Sequence, residues 1–194
     1  MATRAAAKKS SPTKAIRAPA KSPARAKRQK DACDLLDADH KAVKARFKEY
    51  ETLTESRSRS SAKKRQLADR ICRELSVHAT VEEEIFYPAA RKVIKDNPLI
   101  NEATVEHASA KELIAQIRGM DPSDEMFDAN VTVLGEYIDH HVKEERTEMF
   151  PKVRKTKLDL GRLGEQLEQR KKVLRAEQET ANKSAIANTS AMQA

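Results

Sequence analysis

The sequence predicts an all-α protein: an antiparallel up-down four-helix bundle with a disordered basic N-terminal tail and a short C-terminal amphipathic helix. Three observations carry this expectation. Only 4 of the 194 residues are glycine, while Ala, Glu, Lys, Arg and Leu dominate, and these side chains lose little rotamer freedom in a helix. From Asp31 onward apolar residues recur with a period near 3.6. Four such segments follow one another with short connections, which favours antiparallel neighbours.

The first helix is expected over about 31–55, with Leu36, His40, Val43, Phe47 and Tyr50 on its buried stripe. The Ser/Arg-rich stretch 56–61 reads as a loop. The second helix covers about 62–95 and buries Leu67, Ile71, Leu75, His78, Glu82 and Ile85; Pro88, which has no N–H to donate, should kink or break it. Asn97-Pro98 reads as a turn. The third helix spans about 99–118, with Ala103, His107, Ala110, Ile114 and Ile117 on one face and Gly119 as its stop. The fourth spans about 123–155 behind the acidic pair Asp124 and Glu125, burying Phe127, Val131, Leu134, Ile138, His141, Glu145 and Met149. A shorter amphipathic segment, about 158–178, carries Leu160, Leu163, Leu167 and Leu174, and the polar residues after it should fray. The chain thus divides into a tail (1–30), a bundle (31–157) and a C-terminal helix with its end (158–194).

Charge is concentrated in the tail. Residues 1–30 hold ten Lys/Arg and no acid, so the remainder carries 28 basic against 30 acidic residues, and the net +8 belongs to the tail. A segment of Ala, Lys, Arg, Ser and Pro cannot bury enough apolar surface to offset the entropy of ordering. Three readings fit it: a solubilising extension, an arm that binds phosphates without base specificity, and an organelle transit peptide. Ser11-Pro12-Thr13-Lys14 and Ser22-Pro23-Ala24-Arg25 look like the S-P-x-K/R elements of linker-histone tails; without interleaved aromatic residues there is no platform for base stacking. No apolar run approaches the ~20 residues that span a bilayer, and no apolar signal segment opens the chain. Cys33 and Cys72 form no CxxC pair and read as reduced, buried small residues of a cytoplasmic protein, nucleoid-associated if the tail binds DNA. Oligomeric state is not legible.

The chemistry lies in the stripes. Each of the four helices has one histidine at a buried position: His40, His78, His107 and His141. Glu82 and Glu145 follow two of them by four residues, one turn along the same face. Six polar groups in one apolar interior would each cost several kcal/mol without partners. A metal compensates all of them, and imidazole with carboxylate suits iron, zinc or manganese. The segment 78–88 also repeats at 141–151: both read H-x-x-x-E with proline six residues after the glutamate and an aromatic residue just before it. A bundle with merely polar core residues and a zinc site are the competing readings. His140, turned about 100° from His141, is expected at the surface. Glu83, Glu84 and Glu144 are expected in solvent, with Glu83 or Glu144 able to orient a ligating histidine. Tyr87 and Tyr137 read as packing residues. A Ser/His/Asp triad, a phosphate loop and a dinucleotide fingerprint are absent, so hydrolase, kinase and dehydrogenase readings have no support.

The order His40, then His78-x-x-x-Glu82, then His107, then His141-x-x-x-Glu145 resembles the hemerythrin-like HHE cation-binding domains over roughly residues 31–155. The resemblance implies a non-haem di-iron centre with an oxo or hydroxo bridge, in which His40 and His78 ligate one iron, His107 and His141 the other, and Glu82 and Glu145 bridge. It further implies a small ligand such as O2, NO or peroxide, for sensing, detoxification or iron handling. The oxygen-carrying members have a second histidine on the third helix, four residues before the first; here that position is Ala103. The four-His, two-Glu set is closer to the di-iron proteins of iron–sulfur repair, although their Cys-containing N-terminal domain is not found here. Fewer ligands leave more open positions on the metal, which favours reactivity or sensing over reversible O2 carriage. A non-enzymatic metal-binding module associated with nucleic acid is the alternative.

Overall fold

The structure, a computed structural model, describes residues 30–56, 60–95 and 97–192. The helices are α1 (Ala32–Glu55), α2 (Ser61–Val81), α3 (Tyr87–Val93), α4 (Asn97–Gly119), α5 (Glu125–Glu144), α6 (Phe150–Arg154) and α7 (Leu160–Met192). Two π-helical turns, Glu82–Phe86 and Glu145–Met149, join α2 to α3 and α5 to α6. Most of the predicted tail, residues 1–29, lies outside the described residues.

Local chemistry sets the helix starts. Asp31 caps α1 by accepting from the Asp34 backbone N–H at 2.9 Å, and the Asp34 carboxylate accepts in return from the Asp31 N–H. Arg154 donates to both carboxylates and so ties the end of α6 to the start of α1. Asp124 caps α5 through the Met126 N–H at 2.8 Å.

Three expectations change. Asn97 and Pro98 form the first turn of α4 rather than a separate turn, because the first N–H groups of a helix have no internal partner and proline loses nothing there. Pro88 does not break its helix. It cannot donate to the Glu84 carbonyl and its ring crowds it, so the preceding turn widens and Tyr87 N–H bonds the Glu82 carbonyl five residues back. Pro151 has the same effect on the second repeat, where Phe150 N–H bonds the Glu145 carbonyl. The C-terminal helix is not short: α7 continues to Met192, since Glu179, Lys183 and the alanines beyond 178 favour the helix.

The interior has two apolar clusters. One gathers Leu36, Val81, Phe86, Ile100, Met149, Phe150 and Val153 with Leu163 and Leu167 of α7. The other gathers Val43, Ile71, Leu75, Ile114, Phe127, Val131 and Leu134. Helix α1 passes from the first cluster to the second, α2 returns, α4 goes out and α5 returns, so neighbouring long helices run in opposite directions. Each fully buried large side chain contributes about 1.5–3 kcal/mol. Cys33 and Cys72 are buried and free, and burial pushes their thiols up to about 12 and about 11. Among the described residues no helix is long and apolar enough to cross a membrane.

Candidate metal centre

Between the two apolar clusters lies a polar layer to which each crossing helix contributes. Its members are His40 from α1, His78 from α2, His107 from α4, His141 from α5, and Glu82 and Glu145 from the first residues of the two π turns. All six are at most 7% exposed. They form two groups: His40, His78, Glu82 and Glu145, and Glu82, His107 and His141, each with ligand-type atoms within 4.8 Å of one another. The groups share Glu82.

The Nε2 atoms converge. His40 and His78 approach to 2.9 Å, His107 and His141 to 3.1 Å. Glu82 Oε2 lies 3.1 Å from His78 Nε2 and 3.4 Å from His107 Nε2, while Glu145 Oε2 is 3.3 Å from His40 Nε2. Yet both oxygens of Glu82 and Oε2 of Glu145 are buried without a described hydrogen-bond partner. Orphaned buried carboxylate oxygens are costly and call for a cation.

The outward nitrogens show why Nε2 faces inward. Carboxylates accept from Nδ1 of three rings: Asp39 from His78 (3.3 Å), Glu83 from His107 (3.0 Å) and Glu106 from His141 (2.8 Å). Holding the proton on Nδ1 leaves the Nε2 lone pair aimed at the centre, the usual arrangement for a ligating histidine. Three such lone pairs and two carboxylates in one buried layer repel unless a proton or metal intervenes. Burial opposes protonation of His78, but Glu82 and Asp39 outweigh it and raise the imidazole to about 10. His141 is raised against its burial by Glu106 and Glu145. Burial opposes ionisation of Glu82, and His78 and His107 hold its carboxyl well below the usual range.

All six residues sit together in this layer, and Glu83 orients a histidine, a role the sequence left open to it or to Glu144 beside the solvent reading. Glu144 does not; it faces His140, which is exposed as expected. Three residues were missed. Asp39 and Glu106 each precede one histidine of the set but hold the ring on another helix, so spacing along one helix could not reveal them. Tyr87 does more than pack: its hydroxyl donates to Glu145 Oε1 at 2.9 Å and lies 3.2 Å from His107 Nε2. Burial, then Glu145 and Glu82, push its phenol well above the usual range, so it remains a donor. The repeat held a signal, since the residue just before proline is Tyr87 in one copy and Phe150 in the other, and Phe150 stacks on His40 at 5.9 Å.

A cavity of about 20 Å³ touches all four imidazoles and is closed by Leu75, Ala110, Ile114 and Ile138. That is room for one water-sized molecule. A wider groove between α1 and α5, about 720 Å³, reaches His40 from the surface. His40, Val43, Ile138 and Val142 line both spaces.

A family model for the hemerythrin HHE cation-binding domain matches residues 31–153. The structure is similar to that of a hemerythrin HHE cation-binding domain-containing protein from Mycobacterium kansasii, with a TM-score of 0.64 and 22% identity, covering 76% of this chain and 88% of that one. Over 121 residues the chain is 28% identical to a DNA nickase of Nostoc sp., spanning 62% of this chain but only 33% of that protein. The polar layer, the two His-x-x-x-Glu turns and the family match agree: this chain belongs to the hemerythrin HHE cation-binding domain family.

Proposed function

We propose that the chain is a non-haem di-iron protein built on a four-helix bundle, and that it binds or reacts with a small oxidant such as O2, NO or peroxide. In this reading His40 and His78 hold one iron, His107 and His141 the other, and Glu82 and Glu145 bridge. The observation that carries it is the pair of buried donor groups sharing Glu82, with carboxylate oxygens that no described protein donor satisfies. The bound irons would supply open coordination positions and electrons. The chain's own residues do the rest. Asp39, Glu83 and Glu106 hold three imidazoles in the ligating tautomer. Tyr87 offers a proton donor beside Glu145, and the largely apolar wall of the small cavity leaves room for one water-sized molecule beside the four imidazoles.

Metal analysis and an ultraviolet–visible spectrum of the purified protein test this, beside His78→Ala and Glu145→Ala. About two irons per chain, with near-ultraviolet charge-transfer bands that change with peroxide or NO and vanish in both variants, is the expected result. Because His78 and His141 release protons on binding, loading should be tighter at pH 8 than at pH 6. Zinc alone, or variants that load like the parent, would overturn the reading.

A second reading rests on the tail and on the relative named a DNA nickase: ten cations without an acid in residues 1–30 tether the centre to nucleic acid. Duplex DNA binding by the full chain should weaken steeply with salt, by a log–log slope of roughly 0.9 per phosphate neutralised, and collapse when the tail's Lys and Arg become Gln. Equal binding by the neutralised tail removes this reading.

A further inference from the structure

Helix α7 begins at Leu160, beyond the residues 31–153 that the family match covers. It lies against α1, α2 and the first π turn. Its apolar stripe runs Leu160, Leu163, Leu167 and Leu174, and Lys171 occupies the place where helical spacing asks for another apolar residue. Lys171 is 5% exposed, the only buried lysine among the described residues. Burying an ammonium is costly unless it is paired. Its partner is the Asp39 carboxylate, and the same Oδ2 atom accepts from His78 Nδ1. The residue before it, Arg170, donates to Glu84 at 2.7 Å, two residues beyond Glu82 in the π turn.

The other oriented histidines lack such an anchor. Glu83, which holds His107, is met by Lys111, whose side chain is 48% exposed. Glu106, which holds His141, faces His140, 61% exposed. Among the described residues, only the His78 side of the layer is pinned by a buried cation from a helix outside the family match.

We propose that Lys171 is a positioning residue for the metal centre: through Asp39 it fixes the His78 ring, so that docking of α7 and metal occupancy reinforce each other. The inference rests on His78 being a ligand. A cation held against the Asp39 oxygen that faces His78 fixes that carboxylate in one place and keeps it accepting from Nδ1. If α7 stays docked more firmly when His78 is held by metal, reciprocity requires that an undocked α7 weakens metal binding by the same factor.

The probe is Co2+, added to the metal-free full chain and followed by visible absorption, with amide hydrogen exchange of α7 read before and after addition. Lys171→Met should lose affinity at the His40/His78 position by about 10–100-fold, the scale for a partner behind a ligand, whereas Lys111→Met should change little. In the parent, Co2+ should slow exchange around Leu163–Leu174; in Lys171→Met it should not. Lys171→Arg, which keeps the charge, should recover most of both signals and serves if the Met variant misfolds. Gly164→Val offers an independent route, because a Cβ there meets the Ala32 backbone at 3.2 Å and should push α7 off without touching Lys171. Parent-like affinity and exchange in a folded Lys171→Met overturns the proposal while leaving the centre intact. Unchanged Co2+ binding in His78→Ala instead overturns the assignment of His78, and this inference with it.

Discussion

Replacing Glu82 by Met is expected to abolish metal binding and at the same time to make the metal-free chain more stable. Glu82 is fully buried, is shared by both donor groups, and has two oxygens without a described hydrogen-bond partner. Its loss should cost more metal affinity than the ~10–100-fold typical of a group behind the ligands. Without metal, the carboxylate pays the cost of leaving water and is offset chiefly by the neighbouring His78, whose imidazole is raised to about 10. An apolar side chain of similar size removes that cost, and His78 loses the neighbour that most favours its charged form. Removing one member of a buried ion pair is costly while its partner stays charged, but replacing the whole pair by packed apolar groups is often neutral or stabilises by about 1–4 kcal/mol; Glu82→Met acts as the second case once His78 is neutral, at roughly 2–4 °C in Tm per kcal/mol for a domain of this size. Thermal unfolding in chelator and metal titration read the two effects separately. A metal-free Glu82→Met less stable than the parent would mean that the polar layer holds itself together and that the cation is not what compensates it.

Phe86→Ala should lower stability by about 3–5 kcal/mol, the range for emptying a buried aromatic site. Against a typical total of about 5–15 kcal/mol this is a large share. Phe86 is 0% exposed, sits in the first π turn, and meets the Phe150 ring edge-on at 5.6 Å. Phe150 in turn lies flat against His40. The cavity therefore opens behind the ring that stacks on a candidate ligand, and metal release should accompany the loss of stability. Tyr137→Ala is the internal control: that ring is 53% exposed and should move stability by no more than about 0.5 kcal/mol. Urea unfolding in chelator measures both. A Phe86→Ala midpoint within error of Tyr137→Ala would contradict the packing described for the first cluster.

The helices and the six polar stripe positions were legible in the sequence because both depend on local periodicity. A histidine and a glutamate four apart share a helix face wherever the helix sits, and an apolar stripe announces which face is buried. His40, His78, Glu82, His107, His141 and Glu145 are accordingly at the predicted positions in the interior. Pro88 was legible as a disturbance but not as a π turn, since a proline breaks a helix when nothing holds the next segment and merely widens a turn when buried residues such as Phe86 and Tyr87 pin it on both sides. The length of α7 was underestimated for the opposite reason: its later residues lack an apolar stripe, and only propensity carries them.

What the sequence by itself determined was an all-helical chain with one histidine per crossing helix and two His-x-x-x-Glu turns. The tertiary structure alone decided who stands behind each ligand. Asp39 reaches His78 from another helix, Glu106 reaches His141, Tyr87 reaches Glu145 across 58 residues, and Lys171 reaches Asp39 across 132. The physical reason is that spacing along a helix fixes direction, whereas these contacts depend on how far apart helices pack and in what register. Only the packing of the two apolar clusters sets those.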